Sequence, residues 1–362
     1  MKPFIPTDLP LETIDYSALL DLIGKANRYV ARYDGLLRSV VNPELLLSPL
    51  RTKEAVLSSK IEGTRATFED VVTFDAKGKT EKDVNDLEEV LNYRKALLVG
   101  KLEMERLPLT LNVIRTIHGI LMQGVRGENS ARGEFRRIQN WIGPPGSTLE
   151  TASHVPPAVP DMMNALYSWE KYLHFEDKDV MVQMAIMHAQ FEIIHPFLDG
   201  NGRLGRILIP LFLYHKGIIH EPFFYMSDYL EANRSQYYLG LKNITENGSW
   251  DDWIKFFLEG VIAQAEKTIN QTLASIALYD KMKSEFVRVT NSQHAITTLD
   301  YIFRNPIFSN IVFIKESGIA TRTARRILSS LSDNKVIDIL EEGATSKPTI
   351  YEFRPLLRII NR

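Results

Sequence analysis

Cysteine is absent from the 362 residues, which excludes disulfides and thiolate metal ligands and fits a reducing compartment. An excess of one charge is lacking too. Forty-three Lys and Arg stand against 45 Asp and Glu, for a net charge of -2. The chain as a whole therefore carries no electrostatic signature of a nucleic-acid binder, and only a local basic patch stays open. No apolar run approaches the roughly 18 residues that suggest a membrane span. The opening stretch MKPFIPTDLPLETIDY has no apolar segment of the signal-peptide kind. The expectation is a cytoplasmic protein without a membrane partner. HExxH is absent, and His188 and His195 are seven apart, with Pro196 breaking the helix directly after the second, which argues against a zinc site. Internal repeats and low-complexity tracts are missing as well.

What remains is ordinary for a folded chain: 44% hydrophobic and 24% charged residues, enough for one large domain or two or three smaller ones. Most of it reads as helix. Ser48-Pro49 predicts a capped start, and the helix runs through TKEAVLSSKIE to a stop at Gly63. Helical spacing recurs over 82–102 and 112–122. Residues 131–160 are rich in Pro and Gly and predict turns with a short hairpin. Residues 179–194 form a strongly apolar helix, and a second starts near Arg203, with a kink expected at Pro210. Helices near 228–245 and 249–290 follow. The last segment predicts helices over 295–304, 309–316 and 321–333, then strands over 336–340 and 349–353, the pattern of a winged helix-turn-helix.

Between the two apolar helices lies His195-Pro196-Phe197-Leu198-Asp199-Gly200-Asn201-Gly202-Arg203-Leu204-Gly205-Arg206. Gly200 to Gly205 satisfies GxGxxG, but a Met- and Ala-rich helix precedes it where a dinucleotide-binding fold needs a strand. Gly200 to Arg206 nearly satisfies a P-loop, but Arg206 and Ile207 stand where Lys and a hydroxyl are required. The physics common to both survives. Closely spaced glycines let backbone N–H groups converge on an anion, and the following helix aims its positive end there. Arg203 and Arg206 share a helix face and can grip two phosphates. Asp199 offers a hard oxygen for Mg2+. His195 is placed to accept a proton from a hydroxyl.

HPFLDGNGRLGR resembles the Fic signature His-x-Phe-x-(Asp/Glu)-Gly-Asn-Gly-Arg-x-x-Arg at every required position. IHGILMQGV (117–125), GEFRRIQNWIG (133–143), HVPP (154–157), YYLGL (237–241) and GSWDDWIKFFLEG (248–260) resemble its surroundings. The resemblance implies a mainly α, Fic-type helical bundle with a short β-hairpin flap, acting as a protein adenylyltransferase that moves AMP from ATP to a Tyr, Ser or Thr hydroxyl. It implies that His195 is the base and that Asp199 holds Mg2+. Gly200, Asn201 and Gly202 would form the anion hole within a nucleotide loop that includes Leu204 and Gly205. Arg203 and Arg206 would hold the β/γ end, and Tyr238 would lie on the adenine side. The flap, about 147–155, would pair with the target protein like an added strand.

Ser58-Ser59-Lys60-Ile61-Glu62-Gly63 resembles the family's inhibitory motif, (Ser/Thr)-x-x-x-Glu-(Gly/Asn). Ser58 and Glu62 are i and i+4 on one helix face, and a carboxylate on Arg206 would take the place of the γ-phosphate. The expected organisation is an N-terminal helical region over 1–108 with the inhibitory helix at 49–63, a Fic core over 109–262, a connecting helix over 263–290 and a winged-helix domain over 291–362. Arg322, Arg325 and Arg326 could face DNA from 309–333 or form a solvated basic face. Two alternatives stay open: a nucleotide-sensing, DNA-binding regulator, and a Fic transferase of another phosphate-containing group. The target, the oligomeric state (monomer or homo-oligomer), the releasing signal and AMP removal are not fixed by sequence.

Overall fold

The computed structural model describes residues 2–40, 42–77, 84–124, 131–144, 146–344 and 347–361. The first part of the expected 82–102 helix, the end of the 117–125 segment and part of the loop joining the last two strands lie outside them.

The helices are α1 Tyr16–Ser39, α2 Pro43–Ile61, α3 Phe68–Lys77, α4 Val84–Met104, α5 Leu111–Leu121, α6 Val159–His174, α7 Val180–Ile194, α8 Asn201–His215, α9 Ser227–Ala232, α10 Arg234–Asn247 and α11 Trp250–Thr290. Then come α12 Ala295–Arg304, β1 Ile307–Ser309, α13 Asn310–Glu316, α14 Thr321–Asp333, β2 Asp338–Glu341, β3 Ile350–Glu352 and α15 Arg354–Ile360.

Two compact units are built from alternating stretches of chain. One comprises Met1–Gly35, Leu57–Thr64 and Glu88–Glu266; the other comprises Leu36–Val56, Arg65–Leu87 and Lys267–Arg362. In the first, α7 is the centre. Every residue from Met181 to Ile194 is buried, which explains a sequence that is apolar on all faces instead of one. Burying each Met, Ile, Val or Phe there contributes about 1.5–3 kcal/mol. Asp179 caps the helix, accepting from the Met181 and Val182 amides at 2.9 and 3.0 Å. The Trp169 and Trp253 indoles donate to the carbonyls of Met187 and Ala185 at 2.9 and 2.8 Å.

Helix α2 begins at Pro43, not at Pro49, which lies in its interior. Asn42-Pro43 offers the same start signal as Ser48-Pro49, six residues earlier. Helix α8 stays continuous through Pro210. The expected flap hairpin is reduced to one antiparallel bridge, Ile142 with His154.

In the second unit the three short helices stand close to their expected bounds. The sheet has three strands in the order β1-β3-β2, both pairings antiparallel, so β1 is an addition to the expected pair. Helix α15 is a further one.

Candidate active site

The site is the junction of α7 and α8, where the chain turns through two left-handed residues. His195 caps α7 at φ 47° and Gly200 caps α8 at φ 76°. A non-glycine residue in that region is costly, and the surroundings hold it. Arg136, buried, donates from Nε to the His195 carbonyl at 3.1 Å and from its backbone amide to Pro196 O at 2.9 Å. Its Nη1 and Nη2 donate to Ile138 O and Pro157 O at 3.2 and 2.5 Å. One guanidinium thus ties the His195 turn to Ile138 and Pro157, on either side of the 147–155 segment.

Asn201 locks the loop from inside. Its Oδ1 accepts from the Phe197 amide and its Nδ2 donates to the Phe197 carbonyl, both at 2.8 Å. The side chain is spent on the backbone, and the backbone N–H stays available to a ligand. Asn201→Ala leaves the buried Phe197 amide unpaired, at about 1–3 kcal/mol, while the Phe197 carbonyl keeps Asn140 Nδ2 at 3.0 Å. A thermal melt should show a clear drop in Tm; an unchanged Tm contradicts this role.

His195 is partly buried. Its Nδ1 lies 3.2 Å from the Glu192 carbonyl, which can only accept. The proton is therefore on Nδ1, and Nε2 carries the lone pair a base needs. Burial, against the favourable carbonyl, pushes its pKa down to about 4.

Arg206, 1% exposed, is gripped by the end of α2. Nε donates to Ser58 Oγ at 2.8 Å, and Nη2 donates to Ser58 O at 2.9 Å and to Glu62 Oε1 at 2.6 Å. A Cβ on Gly202 would stand 2.2 Å from Glu62 Oε1, so only glycine leaves room for the carboxylate over the first turn of α8. Burial raises the carboxyl's pKa, but Arg206, its hydrogen bond and Arg203 outweigh this and hold it below the usual range. Arg203, buried, points Nη1 toward Glu89 Oε2 at 3.2 Å and Nη2 toward Asp199 Oδ1 at 3.7 Å. Asp199 is 48% exposed, and its Oδ1 accepts from the Gly200 amide at 2.6 Å. A lone solvent-facing carboxylate beside an anion nest suits Mg2+, which takes few protein ligands and fills its shell with phosphate oxygens and water. Among the described residues no cluster of three or more His, Asp or Glu competes for that role.

Leu204 is packed in the core. A Cβ on Gly205 would stand 2.2 Å from Glu192 Oε1. Tyr238 stands 41% exposed on α10, with Arg234 5.8 Å from its ring.

Three buried groups escaped sequence reading. His118 Nε2 donates to Asp199 O at 3.0 Å, its Nδ1 accepts from the Gly133 amide at 2.9 Å, and its ring stacks on Phe197 at 3.8 Å. His188 Nδ1 donates to Gly205 O at 3.2 Å, and its Nε2 faces the Tyr237 hydroxyl at 3.0 Å. Glu192 completes the set. Isolated His and Glu in apolar helices give no signal until the fold places them.

Burial lowers His118 to about 4 and His188 to about 3, and raises Glu192 to about 8. The signs oppose. Below pH 6.5 the unfolded chain binds more protons at the three histidines, His195 included, so stability is lost as pH falls toward 4. Glu192 is protonated in the fold and ionised when unfolded, so its contribution fades as pH rises toward 8. Melts across pH 4–9 should peak between pH 6 and 7. A monotonic rise to pH 9 contradicts this assignment.

Residues 20–101 match the Fic/DOC family N-terminal region and residues 108–213 match the Fic/DOC family. The chain is 29% identical over 211 residues to the Protein adenylyltransferase Fic of Drosophila grimshawi, covering 57% of this chain and 38% of that protein. It is 27% identical over 259 residues to that of Drosophila virilis, covering 70% and 47%. The chain thus spans less than half the length of these curated relatives. In fold it is similar to a Fic family protein from Desulfovibrio desulfuricans G20, with TM-score 0.60, 17% identity and 98% of both chains covered. It is also similar to Fic-1 (aa134–508) from C. elegans, with TM-score 0.54, 18% identity, and 72% of this chain and 74% of that one covered. The chain carries a Fic/DOC domain preceded by a Fic/DOC N-terminal segment.

Proposed function

We propose that the chain is a protein adenylyltransferase that moves AMP from ATP to a Tyr, Ser or Thr hydroxyl of a target protein, restrained by its own Glu62. The observation that carries this reading is the state of the loop: a histidine with its Nδ1 proton committed and Nε2 open, set before an anion nest whose Arg206 is held by a carboxylate.

His195 Nε2 takes the proton from the target hydroxyl, and the freed oxygen attacks the α-phosphorus in line. The bond to the α,β-bridging oxygen breaks, and pyrophosphate leaves with the electron pair. Arg203, Arg206 and the backbone N–H groups at the start of α8 take up the negative charge. Asp199 would hold Mg2+, which when bound supplies positive charge against the phosphates. Positioning provides much of the rate, and no covalent enzyme intermediate is required. Tyr238 is assigned to the adenine side, and residues 147–155 to target docking, where Leu149 stands exposed.

Inhibition follows from occupancy. Ser58 and Glu62 hold the Arg206 donors that the γ-phosphate needs, and the Glu62 carboxylate lies over Gly202. No helix among the described residues is long and apolar enough to cross a membrane.

Incubation of the Glu62→Gly chain with ATP and a lysate, followed by mass spectrometry, tests the reading. Adenylyl groups on hydroxyl side chains are expected; phosphoryl or other increments would assign the site to another transfer. A second reading draws on the C-terminal unit. Three helices with an antiparallel sheet support a winged helix-turn-helix, and Arg322 and Arg325 stand exposed on α14. Sequence-specific DNA retention without any ATP-dependent labelling would favour a nucleotide-sensing regulator.

A further inference from the structure

Arg203 is in an unusual position for a buried guanidinium. It is 4% exposed, yet its Nε and Nη1 have no hydrogen-bond partner. Its Nη2 reaches only Met122 Sδ at 3.7 Å and Asp199 at 3.7 Å. Unpaired buried donors are costly, so an arginine kept this way is built for an acceptor that arrives with a ligand.

Its charge is nevertheless balanced from behind. Glu89 on α4, 10% exposed, sets Oε2 3.2 Å from Nη1. The same oxygen accepts from Thr64 Oγ1 at 2.6 Å. Thr64 follows the inhibitory turn directly, its amide donating to Ser59 O at 3.2 Å. The two carboxylates therefore differ in kind. Glu62 is 34% exposed and hydrogen-bonds its arginine, so an incoming phosphate can displace it. Glu89 is buried, pinned by a hydroxyl and offset from hydrogen-bond geometry, so it stays when the ligand arrives.

We propose that Glu89 is the positioning residue for Arg203, with Thr64 as its anchor, and that together they aim Arg203 at the β-phosphate of the bound nucleotide. This rests on the nucleotide-site reading above. One turn of chain then acts on both arginines in opposite senses: Ser58 and Glu62 occupy Arg206, while Thr64 orients Arg203 through Glu89.

The test measures ADP and AMP affinity by calorimetry, in full-length protein carrying Glu62→Gly to clear Arg206. Adding Glu89→Gln should weaken ADP about tenfold, the scale of one charge-assisted hydrogen bond, while AMP, which has no β-phosphate, holds its affinity. Thr64→Val should weaken ADP about threefold, and Thr64→Ser, which keeps the hydroxyl, should restore it. Equal loss of ADP and AMP affinity would show a merely structural role and overturn the proposal, as would unchanged ADP affinity in Glu89→Gln or no ADP binding to the Glu62→Gly parent. Glu89-dependent ADP binding in a protein that labels no hydroxyl would contradict the transferase reading and leave this assignment standing.

Discussion

Glu62→Gly is expected to raise ATP-dependent self-labelling about 100-fold, equivalent to about 2.7 kcal/mol. Breaking a fully buried ion pair from one side costs about 3–5 kcal/mol, but Glu62 is a third exposed, and water screens part of its hold on Arg206. The lower figure follows. Glycine removes the competing carboxylate and uncovers Gly202, while Ser58, with its two contacts to Arg206, keeps the guanidinium in place. Initial labelling rates of parent and variant, at one ATP concentration, check the value. Equal rates would remove Glu62 from any inhibitory role and leave the pair with Arg206 a structural contact.

His195→Ala, placed in the active Glu62→Gly chain, should lower labelling about 1000-fold, within the range of about 100- to 10,000-fold for a lost general base. Nucleotide affinity should hold, because His195 grips no phosphate in this scheme. The left-handed backbone at position 195 is costly for alanine too, so a melt accompanies the assay. Retained ADP binding and a cooperative melt, with labelling gone, identify the base. Labelling that persists in His195→Ala would move that role to another group.

Much of the site was legible in sequence because its parts are local. The loop from His195 to Arg206 is twelve consecutive residues, and helix capping and glycine spacing are short-range effects. The Ser58–Glu62 spacing was equally readable, and its placement against Arg206 came from the resemblance. What sequence hid is long-range. Asn201 reads as part of the anion hole; that its side-chain amide also bridges both backbone groups of Phe197 was not legible. Glu89, His118 and Arg136 reach the loop from segments far away in sequence; the segments around His118 and Arg136 carried the resemblance, but nothing local singled out these side chains or marked Glu89. The fold shows the same division. Long apolar helices such as α7 were plain, whereas β1 is three residues buried on both faces and offers no alternation to read. The start of α2 went astray because Pro43 and Pro49 carry the same local signal. The two compact units also interleave along the chain, which a reading from end to end does not anticipate.

The most direct measurement uses Glu62→Gly protein with ATP labelled at either the α- or the γ-phosphate, scored for radioactivity retained on protein after denaturation. The account predicts retention of the α-label, none of the γ-label, and loss of the α-signal in the His195→Ala double variant. Retention of the γ-label, or no retention of either, would contradict adenylyl transfer at this site.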